Sequence, residues 1–148
     1  MPSAAPEIDL LALDKQVCFA LSVASRSVIA IYRPILEPMG LTHPQYLVML
    51  ALWEERPRAA KDLAAALRFD PATLSPLLKR LEAIGYVERA RHTEDERVLM
   101  VDLTKAGVAL RKQALNVPVQ VIAKLGMSIT ELEAIRDGLT RMIDAATQ

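Results

Sequence analysis

Apolar residues recur every third or fourth position from Leu10 through Leu13, Val17, Leu21, Ala24 and Val28 to Ile31, the spacing of one buried face on a helix reaching Leu36. A neighbouring stripe of Cys18, Ser22, Ser25, Ile29 and Tyr32 mixes polar with apolar side chains, as at the margin of a core or pocket. Pro34, Pro38 and Gly40 punctuate the end of that helix. Thr42, with Gln45 three residues later, carries the capping-box signature of a helix running to about Glu55, and Pro57 stops it. Lys61 to Arg68 (KDLAAALR) reads as a short amphipathic helix. Asp70-Pro71 marks the next start, with Leu74, Leu77, Leu78, Leu81 and Ile84 as buried face and Gly85 as stop. Pro76 sits awkwardly there, since an interior proline forfeits a backbone bond, and reads as a bent or late-starting first turn.

From Tyr86 the period changes from helical to alternating. Tyr86 to Arg91 and Arg97 to Leu103 read as the strands of a hairpin whose exposed tip is His92 to Glu96. Thr104 caps a long helix interrupted near Pro118, and Thr130 with Glu133 reads as a second capping box, opening the last helix. The expected fold class is therefore mainly α with a small β-hairpin wing, a winged helix-turn-helix at residues 44–104.

Composition adds the flanks. The chain of 148 residues fits one domain, yet its 52% hydrophobic content exceeds what one small domain needs. The excess lies in Leu10 to Leu36 and Leu115 to Ile143, so residues 1–43 and 105–148 are expected to be the dimerisation helices of an obligate homodimer. Arg26 and Arg33 interrupt the best apolar run, so no membrane span is expected. The acidic start PSAAPEIDL lacks the basic region of a signal peptide, and a cytoplasmic location follows, where a thiol stays reduced until something oxidises it. No cofactor-binding or metal-ligating pattern is read.

A formal net charge of +0 argues against a bulk polyanion binder and leaves the local distribution to decide. The helix after the Arg68–Pro71 turn is placed to enter the major groove of double-stranded DNA, with Thr73, Ser75, Pro76, Lys79 and Arg80 as candidate contacts. Hydroxyls bond phosphates or base edges, while the cations neutralise backbone charge. Arg97, beside the acidic hairpin tip, is placed to reach a minor groove with Asp95 holding its guanidinium. The plainer alternative is that these are ordinary solvated charges.

The segment LSPLLKRLEAIGYVERARHTEDERVLMVDLT, Leu74 to Thr104, resembles the core of the MarR family of winged-helix regulators, whose wing carries a D-x-R signature matched by Asp95 and Arg97. Together with CFAL, YRPILE and LTHPQYLVMLALWEE it resembles the organic-hydroperoxide sensors of that family, called OhrR. The resemblance implies a dimeric repressor of a palindromic operator. It also implies that Cys18, matching the family's N-terminal cysteine, is oxidised by an organic hydroperoxide to a sulfenic acid, whereupon the repressor leaves DNA. Cys18 is the only cysteine, which matches the one-cysteine type, where a small thiol caps the sulfenic acid or oxidation continues to irreversible forms. Of the two tyrosine hydroxyls the family sets near the sulfur, Tyr32 matches one, the second falls at His43, and a further tyrosine one turn after the cysteine is Ser22.

Position alone makes a lone cysteine a small hydrophobe, so the sensing role rests on the resemblance. Helix geometry adds one step of its own. Cys18 and Tyr32 share a helix face but are fourteen residues apart, a separation of about 21 Å at 1.5 Å per residue. If both serve one sulfur, the tyrosine comes from the other subunit. Two rivals stand beside this reading. One is a regulator of the same fold that binds a small aromatic ligand in the dimer crevice, with Cys18 as packing. The other is a thiol peroxidase, for which the chain offers no second cysteine, so no enzymatic activity is expected.

Overall fold

The computed structural model describes residues 9–148; residues 1–8, which carry most of the acidic start considered for targeting, lie outside the described residues. The first helix begins later than its apolar stripe. A 3-10 turn at Leu13–Lys15 precedes α1 (Val17–Leu36), because Gln16 is extended and breaks the helical run. Leu10 and Leu13 therefore precede α1. A second 3-10 turn at Glu37–Met39 and a left-handed Gly40 (φ 72°) reverse the chain into α2 (His43–Glu54). The expected box opens α2: the Gln45 amide donates to Thr42 Oγ1 (3.4 Å) and the Thr42 amide to Gln45 Oε1 (3.0 Å).

After β1 (Arg58–Ala59) come α3 (Ala60–Leu67) and α4 (Pro71–Ile84), joined by a turn in which Arg68 takes φ 57°. Pro76 does not delay α4, which starts at Pro71. The helical assignment continues through Pro76, and the Ala72 carbonyl that the proline deprives of a bond belongs to an exposed residue that water can reach. Asp70 occupies the N-cap without a side-chain bond to the helix. Strands β2 (Val87–Arg91) and β3 (Leu99–Leu103) form the hairpin, each shorter at one end than the alternation suggested. β1 adds a third strand that periodicity did not reveal, giving an antiparallel sheet of order β1-β3-β2.

The remaining helices are α5 (Lys105–Ala114), α6 (Asn116–Leu125) and α7 (Ile129–Ala146). Thr104 caps α5 by accepting from the Gly107 amide (3.1 Å). The interruption falls at Leu115 and not at Pro118, because Pro118 lies in the first turn of α6, where no intrahelical amide bond is needed. The last capping box is Ser128 with Glu131, two residues before the expected pair. Left-handed Gly126 ends α6 there, and Ser128 is the first capping residue after it.

The core joins α2, α3 and α4 to the base of the sheet, with Leu52, Leu63, Leu78, Leu81 and Val101 sealed from solvent. Gly107 closes it against the hairpin, since a Cβ there would stand 2.1 Å from the Tyr86 carbonyl oxygen. α1 buries only Leu36 in this core, with Ile31, Tyr32 and Ile35 packed against it, and α7 buries nothing. The stripe expected to be buried is open along its first turns, with Val17 65% and Leu21 37% exposed. Ile135, Met142 and Ile143 of α7 are exposed as well. Periodicity correctly marked an apolar face, but one chain does not supply the surface that covers it.

Candidate functional site

Leu74, Leu78 and Leu81 turn one side of α4 into the core and leave Thr73, Ser75, Pro76, Lys79 and Arg80 at its surface. Neither Lys79 nor Arg80 makes an ion pair among the described residues. Both cations keep their charge open to an anionic surface. At the wing tip, the His92 amide donates to the Val98 carbonyl (2.8 Å) and closes the loop. Inside it, Arg97 donates to Asp95 through its amide (3.0 Å) and Nε (3.1 Å). These bonds hold the Asp95 carboxyl below the usual carboxylate range. The Arg97 side chain is nevertheless 92% exposed, so the guanidinium is oriented from one side and open on the other.

Sequence reading missed two wing cations. Val87, Arg89 and Arg91 alternate onto one face of β2, opposite Leu103, Val101 and Leu99. Arg89 is half-buried and Arg91 exposed, so this face grades from apolar to cationic toward the tip. The alternation of Val87, Arg89 and Arg91 is present in the sequence, but which face of the strand meets α4 is not.

The thiol site is divided. Cys18 is the second residue of α1 and is exposed, whereas Tyr32 stands near the other end of the same helix. One chain does not bring them together. It does bring Tyr32 and His43 together, with ring centroids 4.8 Å apart in an edge-to-face arrangement. Tyr46, one turn along α2 and not singled out from the sequence, joins them at 5.8 Å from the Tyr32 ring. Burial pushes the Tyr32 phenol up, so its hydroxyl stays protonated and remains a donor. Burial also lowers the His43 imidazole, which therefore stands neutral at neutral pH and supplies no cation. Beside this cluster, Ile29, Arg33, Glu37 and His43 line an open groove of about 400 Å³.

Helix, turn, helix and wing define a winged helix-turn-helix chain. Residues 30–113 match the model of the SarA/Rot transcriptional regulators. The chain is 43% identical over 136 residues to the HTH-type transcriptional regulator TtmR of Methylorubrum extorquens, covering 92% of this chain and 70% of that protein. It is 33% identical over 142 residues to the organic hydroperoxide resistance transcriptional regulator of Bacillus subtilis, covering 96% and 97%. Reduced AbfR bound to DNA superposes with a TM-score of 0.78 at 31% identity, over 92% of this chain and 95% of that one. The chain belongs to the SarA/Rot family and is a MarR/SarA-type winged-helix transcriptional regulator.

Proposed function

We propose that this regulator is a cytoplasmic homodimeric repressor that leaves a palindromic operator when an organic hydroperoxide oxidises Cys18, and that it is not an enzyme. The observation that carries the reading is the division of the thiol site. Cys18 is exposed at one end of α1, and the Tyr32–His43 pair lies at the other. A second chain packed antiparallel on α1 unites them, each subunit's phenol serving its neighbour's sulfur. The similarity to the Bacillus subtilis organic hydroperoxide regulator supports the choice of oxidant.

In this reading residues 1–43 and 105–148 form the dimer interface, and residues 44–104 form the DNA-binding lobe. The segment Val17–Met39 has the length and mean hydropathy of a membrane-crossing helix. Arg26 and Arg33 divide it, and family membership favours a second subunit as the cover for its apolar face. Thr73, Ser75, Pro76, Lys79 and Arg80 meet the major groove, while Arg97, held by Asp95, reaches the minor groove.

The Cys18 thiolate attacks the terminal, hydrogen-bearing oxygen of the peroxide. An S–O bond forms and the O–O bond breaks, so sulfur is oxidised by two electrons and the alkoxide departs, taking a proton to become an alcohol. Tyr32 of the opposite subunit donates to the sulfur anion and favours the reactive form. His43, neutral, acts as a second hydrogen-bonding group. A small thiol then condenses with the sulfenic acid, losing water, and leaves a bulky mixed disulfide between two packed helices. That insertion alters the spacing of the two recognition helices, which a palindromic operator measures.

A mixed dimer tests the arrangement. Chains carrying Cys18→Ser are paired with chains carrying Tyr32→Phe, so the one remaining thiol faces the one remaining phenol across the interface. Oxidation at the wild-type rate, where the Tyr32→Phe homodimer is slow, is expected. A mixed dimer as slow as that homodimer would contradict the shared site.

A further inference from the structure

On β2, Arg89 follows Val87 onto the face that packs toward α4 and lies directly opposite the fully buried Val101. A cation on that otherwise apolar face needs a partner, and Glu82 in the last turn of α4 provides one. Arg89 Nη2 donates to Glu82 Oε1 at 3.1 Å and Nε to Oε2 at 3.3 Å, with the arginine side chain only 21% exposed. Such a two-toothed contact fixes angle as well as distance, because the guanidinium fork and the carboxylate are both planar. Glu82 also continues the stripe of Ser75 and Lys79 along α4. An acid on a stripe that meets phosphates repels them unless its charge is already engaged. The same arginine lines a cavity of about 180 Å³ between α3, α4 and the wing, together with Lys61 and Ser75.

We propose that Arg89 is a positioning residue that, through Glu82, sets the angle of the wing against the recognition helix, so that Arg97 and the α4 cations engage one duplex together. This rests on α4 and the wing binding DNA, as proposed for the function. Neither Arg89 nor Glu82 touches phosphate in this arrangement. Without the pair, the wing samples orientations that do not fit, and apparent affinity falls by the fraction that still does.

The test measures binding to a labelled duplex selected by the wild-type protein from a random-sequence pool, for Glu82→Gln, Arg89→Lys and Arg97→Ala, and for the first two combined with Arg97→Ala. Glu82→Gln removes an acid beside DNA and on charge alone would tighten binding. The expected result is instead a weakening of roughly tenfold with the salt slope unchanged. Arg89→Lys keeps the charge and loses the fork, and weakens binding equally; it carries the test if the glutamine variant folds poorly. In the Arg97→Ala background either change costs less than roughly twofold more, since the wing contact it positions is already gone. Tightened or unchanged binding by both single variants, or effects that multiply with Arg97→Ala, would overturn the inference. Undiminished binding by Arg97→Ala itself would instead remove the wing from the DNA interface, and with it the reading on which the inference stands.

Discussion

Tyr32 and His43 meet edge to face, 4.8 Å between ring centroids, although one lies on α1 and the other opens α2. The reversal at Glu37–Met39 and Gly40 brings them together, while Cys18 of the same chain stays at the far end of α1. The pair is thus assembled before any thiol reaches it. Replacing Tyr32 by Phe leaves the ring packing and removes the donor. A hydrogen bond to an ionised sulfur contributes about 1.5–3 kcal/mol, so oxidation of Cys18 is expected to slow by roughly tenfold or more. Trapping of the sulfenic acid followed by mass spectrometry measures this, and an unchanged rate would separate Tyr32 from the sulfur.

His43 makes stability depend on pH in a definite direction. Burial lowers its folded-state value below the ordinary 6.5, so between the two values the unfolded chain binds a proton that the folded chain does not. Its contribution is complete above 6.5 and is lost as pH falls from there through the folded value. Urea midpoints at about pH 7.5 and about pH 5.5 are expected to drop more on acidification for the wild type than for His43→Gln. Equal drops would mean that burial does not oppose the charge.

Gly107 sets the junction between α5 and the hairpin. A helix-interior glycine changed to alanine ordinarily gains about 1 kcal/mol. Here the added Cβ would stand 2.1 Å from the Tyr86 carbonyl oxygen, a backbone atom that cannot rotate away. Trp53 Nε1 also donates to the Gly107 carbonyl (2.9 Å), so any shift of α5 strains a second contact. Gly107→Ala is expected to destabilise by about 2 kcal/mol or more, lowering the melting temperature by roughly 4–8 °C. A rise in melting temperature would show that the junction yields.

Lys79 and Arg80 are open cations on α4, and each phosphate they neutralise adds about 0.9 to the slope of log K against log salt. Lys79→Ala and Arg80→Ala are each expected to weaken binding across sequences and to make that slope shallower by about one unit for every phosphate left without its cation in each half of the dimer. Weaker binding with an undiminished slope would place the residue away from the backbone.

What could be read from the chain was what depends on neighbours in sequence. The Thr42–Gln45 box closes over four residues and appears where expected, and Pro71 with Gly85 bounds α4 correctly. Where two patterns compete locally, distant structure decides. Both Ser128–Glu131 and Thr130–Glu133 satisfy the capping pattern, and the left-handed Gly126 selects the earlier one. β1 has only two residues and exists because Arg58 and Ala59 pair with Val101 and Met100, more than forty positions away. The Tyr32–His43 contact and the Arg89–Glu82 brace are of the same kind, made by a chain reversal and by the α4–wing angle. The apolar stripe of α1 was legible as a stripe, but periodicity does not say whether the covering surface belongs to the same chain.

The redox claim at the centre is tested most directly by operator binding of wild type and Cys18→Ser, each before and after an organic hydroperoxide is added with a small thiol present. Both proteins are expected to bind with similar affinity beforehand, since Cys18 lies on α1, away from α4 and the wing. Peroxide is expected to release the wild type and leave Cys18→Ser bound. Equal release of both, or of neither, would contradict a repressor switched by oxidation of Cys18.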